Sequence, residues 1–282
     1  MFDTLTTVAK NIVVAPIFVP LALIFMVVAQ WVCDHTFRVA NDSRDNEALV
    51  WRHMGIWSAM ALAMMAAIVG NIHDGFWKTL WALVGNGAAM TMFVLVAQTI
   101  NDKFIVTKLS NSEAISNNNV AVGIVEFGGL VATGLIAFGS FWGVSKNFWL
   151  PAITFFLIGQ VCLVAIFRIF DHLHPVDFLE KVKQGNVAAA TIVAAVLVSL
   201  GLVVKTAVAG EFTGWLMSLA LFVVYTAIGA IMVLITYWAV AKIVYAGDTT
   251  SENDQINANN VVRARKAAIG LVALMFIVSS LI

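Results

Sequence analysis

Charged residues are scarce in this sequence, and their scarcity excludes an ordinary soluble protein. Lysine, arginine, aspartate and glutamate make up 11% of the 282 residues, whereas hydrophobic residues make up 61%. A soluble domain carries about 25% charged residues, and a folded chain of this size cannot hide so large an apolar excess from water. The composition therefore predicts a protein whose solvent is a lipid bilayer.

Cysteines are few, and familiar catalytic or cofactor-binding motifs are absent. The two cysteines, Cys33 and Cys162, lie in or beside apolar runs, which is typical of small hydrophobic residues rather than of a disulfide or a metal site. No glycine-rich phosphate loop, HExxH motif or GxSxG motif occurs. The formal net charge is zero, so nothing indicates a nucleic-acid partner. We therefore expect no enzyme, no cofactor and no metal site.

Long apolar runs are what the sequence does contain. Each has about the ~20 residues that a helix needs to cross the hydrocarbon core of a membrane. Continuous apolar content without strict alternation favours helices over barrel strands. The fold class is therefore predicted to be an all-α membrane protein with eight transmembrane helices. These runs are at roughly 11–33, 54–71, 77–100, 119–143, 148–170, 187–209, 214–240 and 264–282.

The connections between the runs alternate between long charged loops and short, nearly uncharged ones. The long loops follow the first, third, fifth and seventh runs. Of the 16 lysines and arginines, all except Lys10, Lys78, Lys146 and Lys205 lie in or beside these long loops. Basic residues accumulate on the cytoplasmic side of transmembrane helices. The pattern therefore predicts that the long loops are cytoplasmic and that both termini are periplasmic.

A repeated unit of helix, charged loop and second helix organises the chain. Its marks are a Val-Ala-Gln segment followed by Asp, and later an Asn-Val-Ala segment at the start of the second helix. Four such units make four parallel two-helix repeats, related by rotation about the membrane normal because each unit returns the chain to the same side. The recurring segments are Val28-Ala29-Gln30 with Asp34, Val96-Ala97-Gln98 with Asp102, Asn119-Val120-Ala121, Asn186-Val187-Ala188 and, more loosely, Asn260-Val261-Val262.

Two of these second-helix starts resemble a known family. The matching segments are Asn118-Asn119-Val120-Ala121-Val122-Gly123 and Gly185-Asn186-Val187-Ala188-Ala189-Ala190. They resemble the domain-of-unknown-function 350 family of small bacterial inner-membrane proteins, whose paired-helix repeats begin the second helix with Asn-x-Ala and small residues. The resemblance implies two tandem four-helix domains, 1–146 and 147–282, in a bacterial inner membrane. It brings no catalytic residue, since the family has no assigned activity.

The asparagines at the cytoplasmic helix starts are the first candidate site. They are Asn118, Asn119, Asn186 and Asn260, whereas the first repeat has Leu49-Val50-Trp51 at this position. Asparagine at a helix start accepts hydrogen bonds from otherwise unpaired backbone N–H groups. Alternatively, these side chains converge and line a cytoplasmic vestibule. We favour capping, although Asn117 and Asn118 exceed what one cap needs.

Glu126 is the second candidate, as an intramembrane polar site. It lies two turns beyond Asn119, roughly 10 Å into the helix, and Gly128 and Gly129 beside it allow a neighbouring helix to approach closely. An ionised carboxylate at this depth has to be protonated, paired, or turned toward protein or water. Glu126 either binds a proton or cation or only holds the bundle together, and the sequence leaves both roles open.

Two functions follow from these candidates. The favoured one is a channel or transporter for protons or small ions that uses Glu126 and an asparagine-lined mouth. The alternative is a non-catalytic membrane scaffold that recruits cytoplasmic protein partners through its charged loops, 34–53, 171–186 and 241–262. Membrane lipids are the expected partners in either case, and a homo-oligomer is left open. A continuous polar path past Glu126 would favour permeation, whereas a dry, packed bundle would favour the scaffold.

Overall fold

The chain is helical throughout the part that the computed structural model describes. The described residues are 2–37, 45–71, 76–104, 111–142, 149–209, 212–246 and 251–281. They form eleven α-helices: α1 (Phe2–Thr36), α2 (Glu47–Asn71), α3 (Phe76–Phe104), α4 (Asn111–Ser116), α5 (Val120–Trp142), α6 (Trp149–Leu173), α7 (Phe178–Lys183), α8 (Val187–Val208), α9 (Trp215–Val244), α10 (Glu252–Asn257) and α11 (Val261–Leu281).

Six helical segments combine the length and the hydropathy of a membrane span. They come from α1, α3, α5, α6, α8 and α9 and are Phe18–Thr36, Phe76–Ile100, Val120–Trp142, Trp149–Leu173, Val187–Val208 and Trp215–Val244. The protein is therefore an all-α, multi-pass membrane protein. The other two predicted spans correspond to α2 and α11, which have 25 and 21 residues. At 1.5 Å per residue, each is at least as long as the ~30 Å hydrocarbon core is thick.

The long helices are arranged in two layers. The second helices of the predicted repeats, α2, α5, α8 and α11, pack side by side in that order. The first helices, α1, α3, α6 and α9, pack against this row. In an 18-residue stretch of each span, 83% of the residues of α5 and α8 are buried, against 17–50% in the other four spans. The two middle helices of the row are therefore the core of the molecule, as their small residues predict.

Glycines set the spacing within the row at the points of closest approach. A Cβ atom on Gly128 would lie 2.5 Å from Cα of Ala194 in α8, and one on Gly134 would lie 2.6 Å from Cα of Ala59 in α2. Such distances are far below van der Waals contact, so only glycine lets α5 touch both neighbours. This close packing is how membrane helices gain dispersion energy where no hydrophobic effect operates between them.

Candidate functional site

Each helix of the second-helix row begins at a capping asparagine. The side-chain oxygen accepts a hydrogen bond from the backbone N–H three residues later, which satisfies one of the unpaired donors at a helix start. The four caps are Asn46 with Leu49 at 2.8 Å, Asn119 with Val122 at 3.3 Å, Asn186 with Ala189 at 2.8 Å and Asn260 with Arg263 at 3.2 Å. We call the end of the bundle where these caps lie the capped end.

The first repeat therefore has its asparagine, and the assignment of that position to Leu49-Val50-Trp51 was wrong. The capping residue is Asn46, which is buried. The repeat length varies: six more residues separate Asn46 from Asn119 than separate Asn119 from Asn186. A constant spacing counted back from Asn119 therefore misses Asn46.

The amide nitrogens of the same asparagines tie each repeat to the next. Nδ2 of Asn46 donates to the carbonyl oxygen of Ile115 at 2.7 Å, and Nδ2 of Asn186 donates to that of Ile256, also at 2.7 Å. The acceptors belong to the short helices α4 and α10. Each capping asparagine is thus hydrogen-bonded through both the oxygen and the nitrogen of its side-chain amide.

Asn118 serves a neighbouring helix instead of its own. It has a positive φ of 57°, and Asn259 has one of 54°, a left-handed conformation that asparagine tolerates better than most residues. Oδ1 of Asn118 accepts from the backbone N–H of Ala48 at 3.1 Å, and Oδ1 of Asn259 accepts from Ala188 at 2.8 Å. The two halves of the chain repeat this contact in the same way.

Glu126 is paired with an arginine inside the protein. It lies between the two layers and is 5% exposed. Nε of Arg52 in α2 lies 3.5 Å from Oε2 of Glu126, and Nη2 of Arg52 donates to Oε1 of Gln98 in α3 at 3.5 Å. The guanidinium also lies over the Phe37 ring, 5.3 Å from its centroid. A buried carboxylate requires such a partner, because an isolated charge in an apolar interior is very unfavourable.

The glycines predicted beside Glu126 have other contacts. Gly128 approaches α8, on a different side of α5 from the ion pair. The carbonyl oxygen of Gly129 accepts a hydrogen bond from Oγ1 of Thr133 at 2.9 Å. Gly128 therefore lets α8 approach α5 closely, as its lack of a side chain predicts.

A second polar pair adjoins the first, because His53 follows Arg52 on α2. Nε2 of His53 lies 2.9 Å from Oδ2 of Asp34, and both side chains are partly exposed. Sequence reasoning placed Arg52 and Asp34 in a cytoplasmic loop and so missed their contacts within the bundle. A signal existed: Arg52 and His53 directly precede the second apolar run, within reach of its first turns.

The ion pair belongs to the first half of the chain alone. Counting from the capping asparagines, the position of Arg52 corresponds to Ile192 in the second half, and that of Glu126 corresponds to Ala267. Both counterparts are buried and apolar or small. The two halves share their backbone contacts but differ in the chemistry of their interior.

Two more buried polar residues follow Glu126 on α5, at intervals of seven residues. Seven residues are nearly two turns, so Glu126, Thr133 and Ser140 lie on one side of the helix, about 10 Å apart. Oγ1 of Thr133 lies 3.3 Å from Oε1 of Gln160 in α6. Ser140 lines a cavity of about 80 Å³ at the opposite end of the bundle from the caps. We call these three residues the α5 stripe. Its side chains lie about two helical turns apart, so the polar stripe is not continuous.

The described residues also include no group of three or more histidine, cysteine, aspartate or glutamate side chains placed to hold a metal ion. The polar groups of the part of the bundle that the structure describes include amides, hydroxyls, the Arg52–Glu126 pair and the Asp34–His53 pair. They also include a cluster in which the Tyr237 hydroxyl lies 3.1 Å from Nε2 of buried His174 and donates to Oε1 of Glu252.

Comparison with known proteins gives two matches. The family model described as "Domain of Unknown Function (DUF350)" matches residues 5–141 and again residues 145–282. A curated relative, "UPF0719 transmembrane protein" of Aquifex aeolicus (strain VF5), is 23% identical over 236 residues, which cover 80% of this chain and 85% of the relative. No solved structure matches. The repeated Asn46 and Asn186 contacts fall one in each matched region, so both copies are built alike.

Proposed function

The chain belongs to the DUF350 family of membrane proteins, and from that premise we propose that it passes protons across the membrane along the α5 stripe. The observation that carries this proposal is the placement of Glu126, Thr133 and Ser140 at three depths of one layer interface, all buried. Polar residues inside a membrane are costly, face the bundle interior and mark ion pathways and proton relays. The role is one of transport, and no enzymatic step is proposed.

Arg52 favours protons over larger cations as the transported species. Its guanidinium lies against Glu126 with 1% of the side chain exposed, and a fixed positive charge in a narrow path repels metal cations. A carboxylate can accept and release a proton without leaving its place. The Asp34–His53 pair adjoins Arg52 along α2 and is partly exposed, so water can reach it.

Two glutamine amides support the entry of water between the steps of the stripe. Nε2 of Gln98 and Nε2 of Gln160 are buried and have no hydrogen-bond partner among the described residues. An unpaired buried donor costs about 1–3 kcal/mol, so water that enters the layer interface would be held at these amides. Gln98 lies beside Arg52 and Glu126, and Gln160 lies beside Thr133, so water would be retained at two levels.

We further propose that the protein lies in a bacterial inner membrane and crosses it eight times. Helices α2 and α11 pack along α5 and α8, and we infer that they cross the membrane with them. The capped end then faces the cytoplasm, and both termini are periplasmic, as the distribution of basic residues predicts.

The test is proton flux into liposomes that hold the purified protein and a pH-sensitive dye. A potassium gradient with valinomycin supplies the driving force. We expect Glu126→Gln to abolish the flux, because glutamine keeps the shape but cannot titrate, whereas Glu180→Gln, on the exposed side of α7, leaves it unchanged. Thr133→Val is expected to lower the flux. Its matched control is Thr191→Val, because Thr191 also bonds to a carbonyl four residues back but lies away from the stripe.

Two results would overturn the proposal of proton passage. Wild-type liposomes that acidify no faster than protein-free liposomes would remove it. So would a Glu126→Gln variant that conducts as well as the wild type. Circular dichroism of each variant in detergent separates loss of flux from loss of the fold.

A scaffold is the second candidate, and one observation favours it. The asparagine contacts join the short helices α4, α7 and α10 to the starts of the long helices, and so build one continuous surface at the capped end. Cytoplasmic protein partners or further copies of the chain would bind there. Parts of two of the charged loops lie outside the described residues, namely 38–44 and 247–250. Cross-linking in cells from Gln184→Cys on this surface, absent from a Thr213→Cys control on the other side, tests this function.

A further inference from the structure

A groove runs along the second-helix row and is lined only by residues of α2, α5, α8 and α11. Its volume is about 690 Å³, which lies within the ~300–1,000 Å³ of typical ligand sites. Ala194 and Ala195 of α8 form its floor, because their small side chains leave room between the larger ones on either side. Trp51 and Phe127 stand on one side, and Phe276 stands on the other.

The depth of the groove corresponds to one leaflet of a bilayer. Trp51, Ile124, Thr191 and Arg265 each lie five residues after the capping asparagine of their helix and all line the groove. Phe276, at its far end, lies eleven residues beyond Arg265 on α11. Eleven residues of helix rise by about 16 Å, which is roughly half of the ~30 Å hydrocarbon core. The groove therefore extends from near the capped end to the middle of the membrane.

One charge is placed at the head of this apolar groove. Arg265 is the one charged residue among those that line it, and its side chain is exposed. It lies at the end that reaches the membrane surface. Trp51 lies at the same level on the opposite side, and tryptophan is enriched where membrane helices meet the headgroups. A cation above an apolar channel one leaflet deep matches a molecule with an anionic head and a hydrocarbon tail.

We propose that this groove binds an anionic phospholipid of the leaflet at the capped end, with an acyl chain along the alanine floor and the phosphate at Arg265. Basic side chains at a membrane surface attract anionic lipid headgroups. Hydrocarbon in the groove contacts side chains that are almost all apolar, so no polar group is stripped of water. The site is independent of the α5 stripe, which lies on the other side of the row.

The shape of the groove favours a lipid over a second copy of the chain. In a symmetric dimer, the same patch of both subunits forms the interface. Two concave grooves placed face to face would leave the space above both alanine floors empty, and empty space forfeits dispersion energy. A flexible acyl chain can fill such a groove, whereas a second copy of this surface cannot.

Native mass spectrometry tests the site with two defined lipids. The protein is released from detergent micelles with equimolar palmitoyl-oleoyl phosphatidylglycerol and palmitoyl-oleoyl phosphatidylcholine. We expect the wild type to retain one phosphatidylglycerol in preference to phosphatidylcholine. Arg265→Gln should weaken this preference about fivefold, which corresponds to the ~1 kcal/mol that one basic side chain contributes at an anionic surface. Lys266→Gln is the matched control, because Lys266 is the exposed neighbour that does not line the groove.

A second pair of variants tests the tail. Ala195→Phe and Ala268→Phe each fill part of the groove and should remove the retained lipid of either kind, with helicity and monodispersity checked in detergent. Three results would overturn the proposal. The first is equal retention of the two lipids by the wild type. The second is an Arg265→Gln variant that behaves as Lys266→Gln does. The third is a lipid-free dimer that Ala268→Phe dissociates, which would assign the groove to a second copy.

Discussion

The side-chain amide of Asn119 donates a hydrogen bond to the carbonyl oxygen of Lys183, 3.1 Å away, and so joins the two family copies. Asn119 lies in the first matched region and Lys183 in the second. Within the copies, Asn46 makes the same kind of contact with Ile115, and Asn186 makes it with Ile256. The junction between the copies is thus built like the junctions inside them. The second helices of the four repeats pack as one continuous row that runs across the junction of the two copies.

The first prediction concerns this junction. Asn119→Ala removes a helix cap, worth about 1 kcal/mol, and one hydrogen bond between repeats, worth about 0.5–1.5 kcal/mol. We expect the free energy of unfolding to fall by about 1–3 kcal/mol in a detergent denaturation series. Asn117→Ala is the control, because Asn117 is exposed and caps no helix, and it should change the free energy by less than ~0.5 kcal/mol. Equal effects of the two substitutions would contradict the role of the junction.

The second prediction concerns the buried ion pair. Glu126→Leu leaves the Arg52 guanidinium buried without its carboxylate and should lower the free energy of unfolding by about 3–5 kcal/mol. Arg52→Met leaves the carboxylate unpaired and should have a similar effect. The double variant removes both charges and should be markedly more stable than either single variant, because apolar residues of similar volume replace a buried pair at little cost. Additive losses in the double variant would show that the two side chains do not interact.

Most of the fold could be predicted from the sequence because it depends on composition and period. Long apolar runs, small residues in the second helices and an asparagine-marked repeat together predict paired helices with α5 and α8 in the middle. The exact repeat length could not be predicted. Asn46 was missed because the spacing between successive capping asparagines varies, and a change in that spacing leaves hydrophobic periodicity unchanged.

The polar interior was harder to predict than the helices. Glu126 could be identified as a buried acid, since few charges lie within apolar runs. Its partner could not, because Arg52 is separated from it by the helices α3 and α4 and three connections, and pairing across that distance depends on how the helices are packed. Gly128 was associated with Glu126 by proximity in sequence. On a helix, however, residues two apart point to different sides, and Gly128 faces α8.

The third prediction concerns helix spacing. Gly128→Ala would place a Cβ atom 2.5 Å from Cα of Ala194, and backbone cannot move aside as a side-chain end can. We expect the free energy of unfolding to fall by about 1–3 kcal/mol, as overpacking does in protein cores. Gly270→Ala is the matched control, because its Cβ would meet a methyl group of Val240 at 3.1 Å, and alanine also favours the helix by roughly 0.5–1 kcal/mol. A Gly128→Ala variant as stable as the wild type would show that α5 and α8 can separate freely.

The last prediction concerns the number of spans, and two exposed residues decide it. If α2 and α11 cross the membrane as the other long helices do, α2 returns the chain before α3 and α11 returns it after α9. Thr36, at the end of α1, and Leu281, at the end of α11, are both exposed. With eight spans, Thr36 lies on the side of Gln184 and Ser251, and Leu281 lies on the side of Trp77 and Thr213.

Single cysteines at these six positions, in a chain whose Cys33 and Cys162 are replaced by alanine, should react with a membrane-impermeant maleimide on intact spheroplasts at Trp77, Thr213 and Leu281. Those at Thr36, Gln184 and Ser251 should react only after lysis, because the basic residues of their loops predict a cytoplasmic position. If α2 lay on the membrane surface instead, Thr36 would be labelled together with Trp77; if α11 did so, Leu281 would be labelled together with Ser251. Either result would remove one of the eight spans and end the inference that the whole second-helix row lies within the bilayer.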